Sequence, residues 1–413
     1  MTAIDMVQPT TRPARHGKNG HAAEPALRLP SPAIDVEPVV AAARANAEAV
    51  DRDARFPAEA MAAARAARLL GVMVPGELGG EGMRLSEVVD ICYRLGQACA
   101  STAMIYAMHQ TKVACILRHG LDEPWHRDLL RRIAGEQLLL ASSTTEGKGG
   151  GNIRSCTAAI ERSGSRISLE RAATVISYGA HADGVVTTAR RSSDAGPSDQ
   201  VLVAFLKEDY TLEPLSAWDT LGMRGTCSSG FTLKATGDAA QILPVAYDKI
   251  HSQTMTPVAH LSWAGVWTGI AAAAVERARL FIRNAARHAN GQLPPGATHL
   301  TAATSSLMVL RNLMDSGLRR YEEAADDERA LASLDLQTAI NLIKVEASEL
   351  AVSIVMSAMR ACGLSGYRND GDFTIGRYLR DVLSSPIMIN NERIIANTAS
   401  SALMNGTPTS LRN

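Results

Sequence analysis

The sequence has no excess of charge of either sign and no cysteine pattern that would hold a metal. Lys plus Arg equals Asp plus Glu at 42 each in 413 residues, so no overall field would recruit nucleic acid or an anionic membrane. The cysteines are scattered, with neither a CxxC pair nor the histidine spacing of a zinc site. We therefore expect a cytoplasmic protein with reduced thiols, no metal centre and no nucleic-acid partner. The six are Cys92, Cys99, Cys115, Cys156, Cys227 and Cys362.

The residue pattern predicts neither a secretory signal nor a membrane-spanning segment. Residues 1–30 mix Arg, Pro, Gly, His and Thr without an apolar run, which fits a disordered tail better than a secretory signal. Arg12 and Arg15 leave an organelle transit peptide open, although Glu24 and the missing amphipathic repeat favour the tail. No segment is expected to span a bilayer, so we expect no membrane insertion.

Hydrophobic periodicity divides the rest of the chain into three zones. Residues 31–135 carry apolar side chains at helical spacing, residues 136–246 carry short β-rich runs, and residues 247–413 return to four long helical runs. A chain that is 46% hydrophobic and 20% charged can bury several cores. We predict a multidomain α+β protein with an N-terminal α-helical domain, a small central β-barrel or sandwich domain, and a C-terminal antiparallel four-helix bundle.

Four motifs follow one another in a fixed order along these zones. They are TTEGKGGGNIR at 144–154, TVISYGAHAD at 174–183, WDTLGMRGTCSSGF at 218–231 and GLSGYRNDGDFTIGRYLRD at 363–381. Together they resemble the acyl-CoA dehydrogenase family across most of the chain. The resemblance implies the helix, sheet, helix order predicted above, an FAD cofactor, and assembly as a homotetramer or homodimer.

The first two motifs contain the residues expected to bind the flavin. A run of glycines lets the backbone turn tightly and approach a planar or anionic group, and the resemblance places Thr145, Gly150 and Gly151 along the flavin pyrimidine and pyrophosphate. Ile176 and Ser177 match the stretch whose hydroxyl faces flavin N5, where a small fixed donor stabilises the reduced ring. Without the resemblance, the glycines fit a plain loop and Ser177 fits the end of a strand.

The adenine half of the cofactor is expected to be held across a subunit interface. Arg287 matches a family arginine whose guanidinium suits a pyrophosphate. Gly363 and Gly366 resemble the glycine-rich turn that meets the same dinucleotide from a neighbouring subunit. A glycine after a long helix is also an ordinary C-cap, which explains Gly363 alone equally well.

The third motif is expected to lie at the mouth of the substrate site. Arg224 offers a guanidinium and Thr226 a hydroxyl, and by resemblance this segment braces the β domain against a thioester site. The alternative for Arg224 is a structural pair with a carboxylate across domains. The implied substrate is an acyl thioester of CoA or an acyl-carrier protein, and the implied electron acceptor is an electron-transfer flavoprotein or oxygen.

An acidic residue is missing where the resemblance would place the catalytic base. Removing the α-proton of a thioester needs a carboxylate beside the α-carbon. After Arg380 and Asp381 the family continues with a glutamate-containing run, whereas this chain reads VLSSPIMINNERI. Counting forward puts the glutamate position at Ile389, and counting back from the next helix puts it at Pro386. A second family position, on the first bundle helix, falls on Ala259.

Three residues are candidates to replace that base. Glu392 lies in the corresponding helix about one turn further along, with a surface or interface role as its alternative. His260 follows Ala259, although a lone histidine on an apolar helix is usually a satisfied core residue. His109 resembles a histidine that flavin monooxygenases of this fold place near the flavin, but similar residues occur in ordinary relatives.

Two enzyme classes and one class without chemistry remain open. An FAD-dependent dehydrogenase would oxidise an acyl thioester by hydride transfer to flavin N5 with an unusual base. A flavin-dependent monooxygenase on the same fold would use reduced flavin and oxygen and would need no such base. The missing glutamate and Val175, which replaces a family tryptophan, favour the monooxygenase, whereas the cofactor motifs and the TLGMRGT segment favour the dehydrogenase. The third class is a structural relative that has lost its chemistry. Among these, we expect the dehydrogenase.

Overall fold

The computed structural model describes residues 34–146 and 155–404, with residues 406 and 410. The predicted tail, and the glycine run that includes Gly150 and Gly151, lie outside the described residues. The N-terminal part is helical, and Arg84 caps its third helix by donating its backbone N–H to the Glu87 carboxylate at 2.8 Å. The helices are α1 (Glu37–Arg52), α2 (Ala58–Ala66), α3 (Leu85–Ala98), α4 (Ala100–Gly120) and α5 (Pro124–Glu136).

The middle of the chain forms two small sheets. The strands are β1 (Leu140–Ser143), β2 (Glu161–Ser163), β3 (Arg166–Ala173), β4 (Gly184–Arg190), β5 (Gln200–Leu206), β6 (Tyr210–Ser216) and β7 (Gly230–Asp238). One sheet has the order β1-β4-β5 and the other β2-β3-β7-β6. β1 and β4 are parallel and the other pairs are antiparallel. Phe205 of the first sheet lies against Gly237 of the second, so the two sheets share a buried core.

The C-terminal part returns to helices, four of which are long. They are α6 (Tyr247–Ile250), α7 (Thr256–His288), α8 (Ala297–Ala324), α9 (Glu328–Leu331), α10 (Leu334–Cys362), α11 (Leu364–Tyr367), α12 (Gly376–Val382), α13 (Ser384–Ile387) and α14 (Asn391–Met404). A π-helical turn, His251–Met255, joins α6 to α7. This arrangement confirms the predicted fold class of helical domain, small sheets and helical bundle.

Helix α3 packs closely on α7 because glycines face each other at the contact. A Cβ atom added to Gly96 would lie 2.5 Å from the Val266 carbonyl oxygen, and one added to Gly269 would lie 2.2 Å from the Tyr93 carbonyl oxygen. Both distances are shorter than any real contact, so only glycine allows the two backbones to approach this closely. The contact joins the N-terminal helices to the C-terminal bundle.

One helical run is apolar enough to span a membrane by length and composition, contrary to the expectation from the sequence. The run is Tyr247–His288, and its most apolar window is 89% buried inside the protein. Such burial is typical of the central helix of a globular core, where neighbouring helices cover every side.

Candidate active site

A cavity of about 680 Å³ lies between α4, the loops of the two sheets, the start of α7, and the segment from α12 to α14. Its walls include Met104 and Met108 of α4, Trp218 from the third motif, and Trp263 of α7. None of the described residues that line it is an aspartate or a glutamate. The cavity therefore combines apolar walls with hydroxyl, amide and basic groups, but no carboxylate from the described part of the chain.

Three hydroxyl groups form a connected row on one wall. Ser228 Oγ donates to Ser177 Oγ at 2.8 Å, and Thr226 Oγ1 lies 2.8 Å from Ser228 Oγ. All three residues are buried and line the cavity. Because Ser228 supplies the proton of its bond to Ser177, the hydroxyl proton of Ser177 remains available to a group inside the cavity.

Backbone hydrogen bonds hold the second and third motifs together around this row. The N–H of Ile176 donates to Ser229 O at 2.9 Å and that of Tyr178 to Thr226 O at 2.8 Å. Tyr178 also donates its hydroxyl to Leu140 O at 2.9 Å, which ties the loop to β1. Ile176 is fully buried and does not line the cavity, so its part in the site is to position Ser177.

Glu146 fixes both ends of the glycine-rich segment of the first motif. Its carboxylate accepts the backbone N–H of Thr157 at 2.7 Å and of Ala158 at 3.2 Å, and the thiol of Cys156 at 3.0 Å. Arg171 Nη1 lies 3.6 Å away. Although burial opposes it, this set of donors lowers the pKa of Glu146 to about 2. Thr145, directly before it, lines the cavity.

The third motif is anchored to α12 rather than left free at the mouth of the cavity. A Cβ atom on Gly222 would lie 2.0 Å from Arg380 O, and the Asp381 carboxylate accepts the Met223 N–H at 2.7 Å. Burial raises the pKa of Asp381 to about 6. The Arg380 and Asp381 pair noted in the sequence therefore positions the segment that carries Thr226.

Arg224 and Thr226, predicted to bind substrate, occupy different environments. Thr226 lines the cavity as part of the hydroxyl row. Arg224 does not line it; its guanidinium donates to Asp51 O at 2.8 Å and Thr220 O at 3.0 Å and lies 3.5 Å from the Asp219 carboxylate. Arg224 is thus a structural brace between α1 and the third motif, but its partner across domains is a backbone carbonyl rather than the carboxylate of the expected pair.

The residues predicted to hold the adenine half of FAD do not line the cavity. Arg287 is exposed at the end of α7, and 24 residues separate it from Trp263, which is roughly 36 Å along the helix. Gly363 (φ +57°) ends α10 and Gly366 packs on Cys362. Their contact with a cofactor from a neighbouring subunit stays a prediction.

Two of the positions where the family glutamate was expected do face the cavity. Ile389 and Ala259 both line it, whereas Pro386 does not. Ile389 has φ +59° and Asn390 φ +51°, which is a strained conformation for a β-branched residue. Buried Lys344 supports this turn by donating to Ser385 O at 3.2 Å and to Asn391 Oδ1 at 2.7 Å. The turn therefore presents an apolar side chain where a base was expected.

His260 is the candidate base that lines the cavity. It is 4% exposed, and Nδ1 has no hydrogen-bond partner among the described residues. Burial, with a smaller contribution from the charge of Lys344, lowers its pKa to about 3. The imidazole is therefore neutral near pH 7, with one lone pair free to accept a hydrogen bond.

His109 and Glu392 do not line the cavity. His109 is fully buried, Nε2 lies 2.8 Å from Leu70 O, and Nδ1 accepts the Leu140 N–H at 3.1 Å. Burial lowers its pKa to about 4, so it is a neutral bridge between backbone segments. Glu392 is exposed at the start of α14. Neither is placed where it could take a proton from a bound substrate of this chain.

Sequence reasoning missed the polar groups at the α4 end of the cavity. Lys112 lines the cavity and is 3% exposed. Met104, Met108 and Lys112 are four residues apart and so share one helical face. That spacing was visible, but α4 is buried on nearly every side, so periodicity alone does not show which face lines a cavity.

Comparison with known proteins agrees with this architecture. The model of the acyl-CoA dehydrogenase N-terminal domain matches residues 37–136, and the model of the acyl-CoA dehydrogenase C-terminal domain matches residues 253–402. The fold and the cofactor site define a flavin-dependent oxidoreductase. The chain belongs to the acyl-CoA dehydrogenase family.

The similar proteins include a nitrososynthase, a dehydrogenase and a monooxygenase. L-evernosamine nitrososynthase of Micromonospora sp. is 26% identical and covers 84% of this chain and 83% of its own length. Cyclohex-1-ene-1-carbonyl-CoA dehydrogenase of Geobacter metallireducens is 25% identical, and the match covers 86% of this chain and 92% of the dehydrogenase. Among solved structures, FMN-bound TdsC of Paenibacillus sp. A11-2 is a dibenzothiophene monooxygenase with a similar fold. Its TM-score is 0.79 at 18% identity, and the match covers 91% of this chain and 98% of TdsC.

Proposed function

We propose that this protein is a flavin-dependent monooxygenase that adds one oxygen atom to an organic substrate held in the cavity. The observation that carries the proposal is the absence of a carboxylate among the described residues that line the cavity. Dehydrogenation of a thioester needs a base beside the α-carbon, whereas oxygen transfer does not. Ala259 and Ile389 line the cavity in place of that base.

Of the two histidines among the described lining residues, His251 has Thr256 Oγ1 3.1 Å from its Nε2, and His260 suits binding better than proton abstraction. A base with a pKa of about 3, as His260 has, is weak at neutral pH. Its unpaired Nδ1 is an acceptor for an N–H or O–H of the substrate. The nitrososynthase relative supports an amine nitrogen as the atom that is oxidised, with its N–H directed to His260.

Hydroxyl groups of this chain would hold the flavin ring at the other wall. Thr145 and Ser177 line the cavity at the two positions where the family contacts the ring. Bound there in its reduced form, a flavin supplies the electrons that activate oxygen. Ser228 orients Ser177, and the Met104 and Met108 side chains exclude water from the reacting groups.

The form of the flavin depends on a second copy of the chain. FAD is supported by the family motif at Arg287, and FMN by the cofactor of the solved neighbour. Leu364, Tyr367 and Leu403 are exposed by 72%, 73% and 89%, and such apolar groups favour a homodimer or homotetramer. We propose FAD, held partly by Arg287 of another subunit.

An acyl-thioester dehydrogenase is the second candidate function. The observation that favours it is the Ser177 hydroxyl at the position where the family stabilises a flavin that accepts hydride, together with a relative named as a CoA-ester dehydrogenase. Its electron acceptor would be an electron-transfer flavoprotein or oxygen. It requires a proton acceptor other than a carboxylate of the described lining residues.

Oxygen incorporation tests the first function against the second. Protein loaded with reduced flavin under argon is mixed with isotopically labelled oxygen and, in separate reactions, with primary amines, thioethers or phenols. We expect one class, first the amines, to yield a product that carries label from oxygen, and no product when flavin is omitted. Reoxidation that yields only hydrogen peroxide with every class, with flavin reduction by an acyl-CoA, would establish the dehydrogenase instead.

A further inference from the structure

The described lining residues include a buried cation but no carboxylate. Lys112 is 3% exposed and lines the cavity. Among the described residues, the hydrogen-bond partner of its Nζ is the thioether of Met255, at 3.6 Å, which is a weak acceptor. It makes no ion pair with any described carboxylate. A buried ammonium in such surroundings is costly unless a ligand compensates its charge.

The other cations of the cavity have partners. Arg380 pairs with Asp51 and also donates to Leu221 O at 3.0 Å, and Arg393 is likewise engaged. Lys344 lies outside the lining and is held by Ser385 and Asn391. Burial lowers the pKa of Lys112 to about 8, so near pH 7 the ammonium form still dominates. Lys112 is therefore the cavity cation that has capacity left for an anion.

The position of Lys112 along α4 sets its distance from the reacting end. Gly225, in the third motif beside Thr226, packs against Ser101 near the start of α4. Met104, Met108 and Lys112 then follow along one face of the helix, and eight residues of α-helix from Met104 to Lys112 span about 12 Å. The Lys112 end meets Met255, just before α7.

We propose that Lys112 binds an anionic group of the substrate, so that the substrate is an organic acid whose apolar body lies along Met104 and Met108. The anion is a carboxylate or a phosphate, and the oxidisable atom lies at the opposite end, beside Ser177. This inference rests on the proposed use of the cavity for substrate, and it adds the charge and polarity of that substrate. A neutral acyl tail would leave the Lys112 charge unpaired.

Binding of three matched probes tests the inference without any turnover. Flavin-loaded protein is titrated at pH 7 with octanoate, octyl phosphate and octanamide, and binding is followed by calorimetry and by fluorescence of the cavity residues Trp218 and Trp263. We expect at least one anion to bind about tenfold or more tightly than octanamide, as expected for a hydrogen bond to a charged group. The anion that binds best identifies the head group.

Two variants assign the preference to its residue. Lys112→Met should remove the preference for the anion and leave octanamide affinity within about threefold, while Arg393→Gln should leave the preference in place. Equal binding of anion and amide to the wild type, or a preference that survives Lys112→Met and disappears in Arg393→Gln, would overturn the inference. The thermal midpoint of each variant shows that it is folded.

Failure of this inference and failure of the proposed function give different results. Anion binding that depends on Lys112, without oxygen incorporation into any tested class, upholds the anion site and counts against the monooxygenase. Oxygen incorporation into a neutral substrate with unchanged efficiency in Lys112→Met upholds the monooxygenase and overturns the anion site.

Discussion

At the scale of single residues, the hydroxyl of Ser177 is the group that we propose donates a hydrogen bond to the flavin. Its oxygen accepts a bond from Ser228, and its own proton is free to point into the cavity. We expect Ser177→Ala to lower the yield of oxygenated product per flavin reoxidised by about 10- to 100-fold, the usual cost of removing a fixed donor from a developing charge. Ser228→Ala is the control, and it should cost less because Ser177 keeps its proton. The ratio of product to hydrogen peroxide measures both.

His109, a candidate base in the sequence, has surroundings that indicate a structural role. His109→Ala leaves the buried Leu140 N–H without its His109 acceptor and leaves Leu70 O with only the longer bond from Gln110 Nε2, at 3.4 Å. We expect it to lower the free energy of unfolding by about 2–5 kcal/mol while leaving the rate per folded molecule unchanged. His288→Ala, at an exposed site, is the control. A large loss of rate in a His109 variant of normal stability would instead indicate that His109 takes part in the reaction.

At the scale of elements, Glu146 joins the strand before the glycine-rich segment to the residues after it. Its folded-state pKa of about 2 lies below the ordinary value of 4.5, so its stabilising contribution is full above pH 4.5 and is lost as pH falls toward 2. We expect Glu146→Gln to destabilise the protein by about 1–3 kcal/mol near pH 7. Denaturant unfolding at a series of pH values should show the difference between wild type and variant shrinking only below about pH 4.5. A constant difference across that range would contradict this role.

The order of the helices and strands could be predicted from the sequence, whereas parts of the site could not. Each long helix and each short strand carries its own period of apolar residues, so local pattern is enough to give their order. The loss of the base was also visible, because Ile389, Pro386 and Ala259, the positions where the glutamate was expected, all carry residues that are not acidic. The role of His109 depends on two backbone groups, 39 and 31 residues away in sequence, and such contacts leave no local pattern. Lys112 was missed because buried α4 has no polar face to mark its orientation.

At the scale of the whole molecule, the proposed FAD would connect one chain to another. Arg287 lies roughly 36 Å along α7 from Trp263 at the cavity of its own chain, so we expect it to contact a bound dinucleotide only in an oligomer. We expect Arg287→Gln to weaken FAD binding about tenfold and to leave FMN binding unchanged, with Arg283→Gln on the same helix as the control. Flavin titrations measure the affinities, and light scattering gives the oligomeric state. Equal losses for FAD and FMN, or a monomer that retains FAD, would contradict a shared site.

We claim above all that no described residue lining the cavity supplies the carboxylate base of thioester dehydrogenation, and an anaerobic titration checks this claim. Flavin-loaded protein is titrated under anaerobic conditions with short-, medium- and long-chain and branched acyl-CoAs, and the absorbance of the oxidised flavin is followed. We predict that no thioester lowers the absorbance of the oxidised flavin, whereas dithionite lowers it fully and so proves that the flavin is reducible. Bleaching by one acyl-CoA at a stoichiometric concentration would show that a base is present and that the protein is a dehydrogenase.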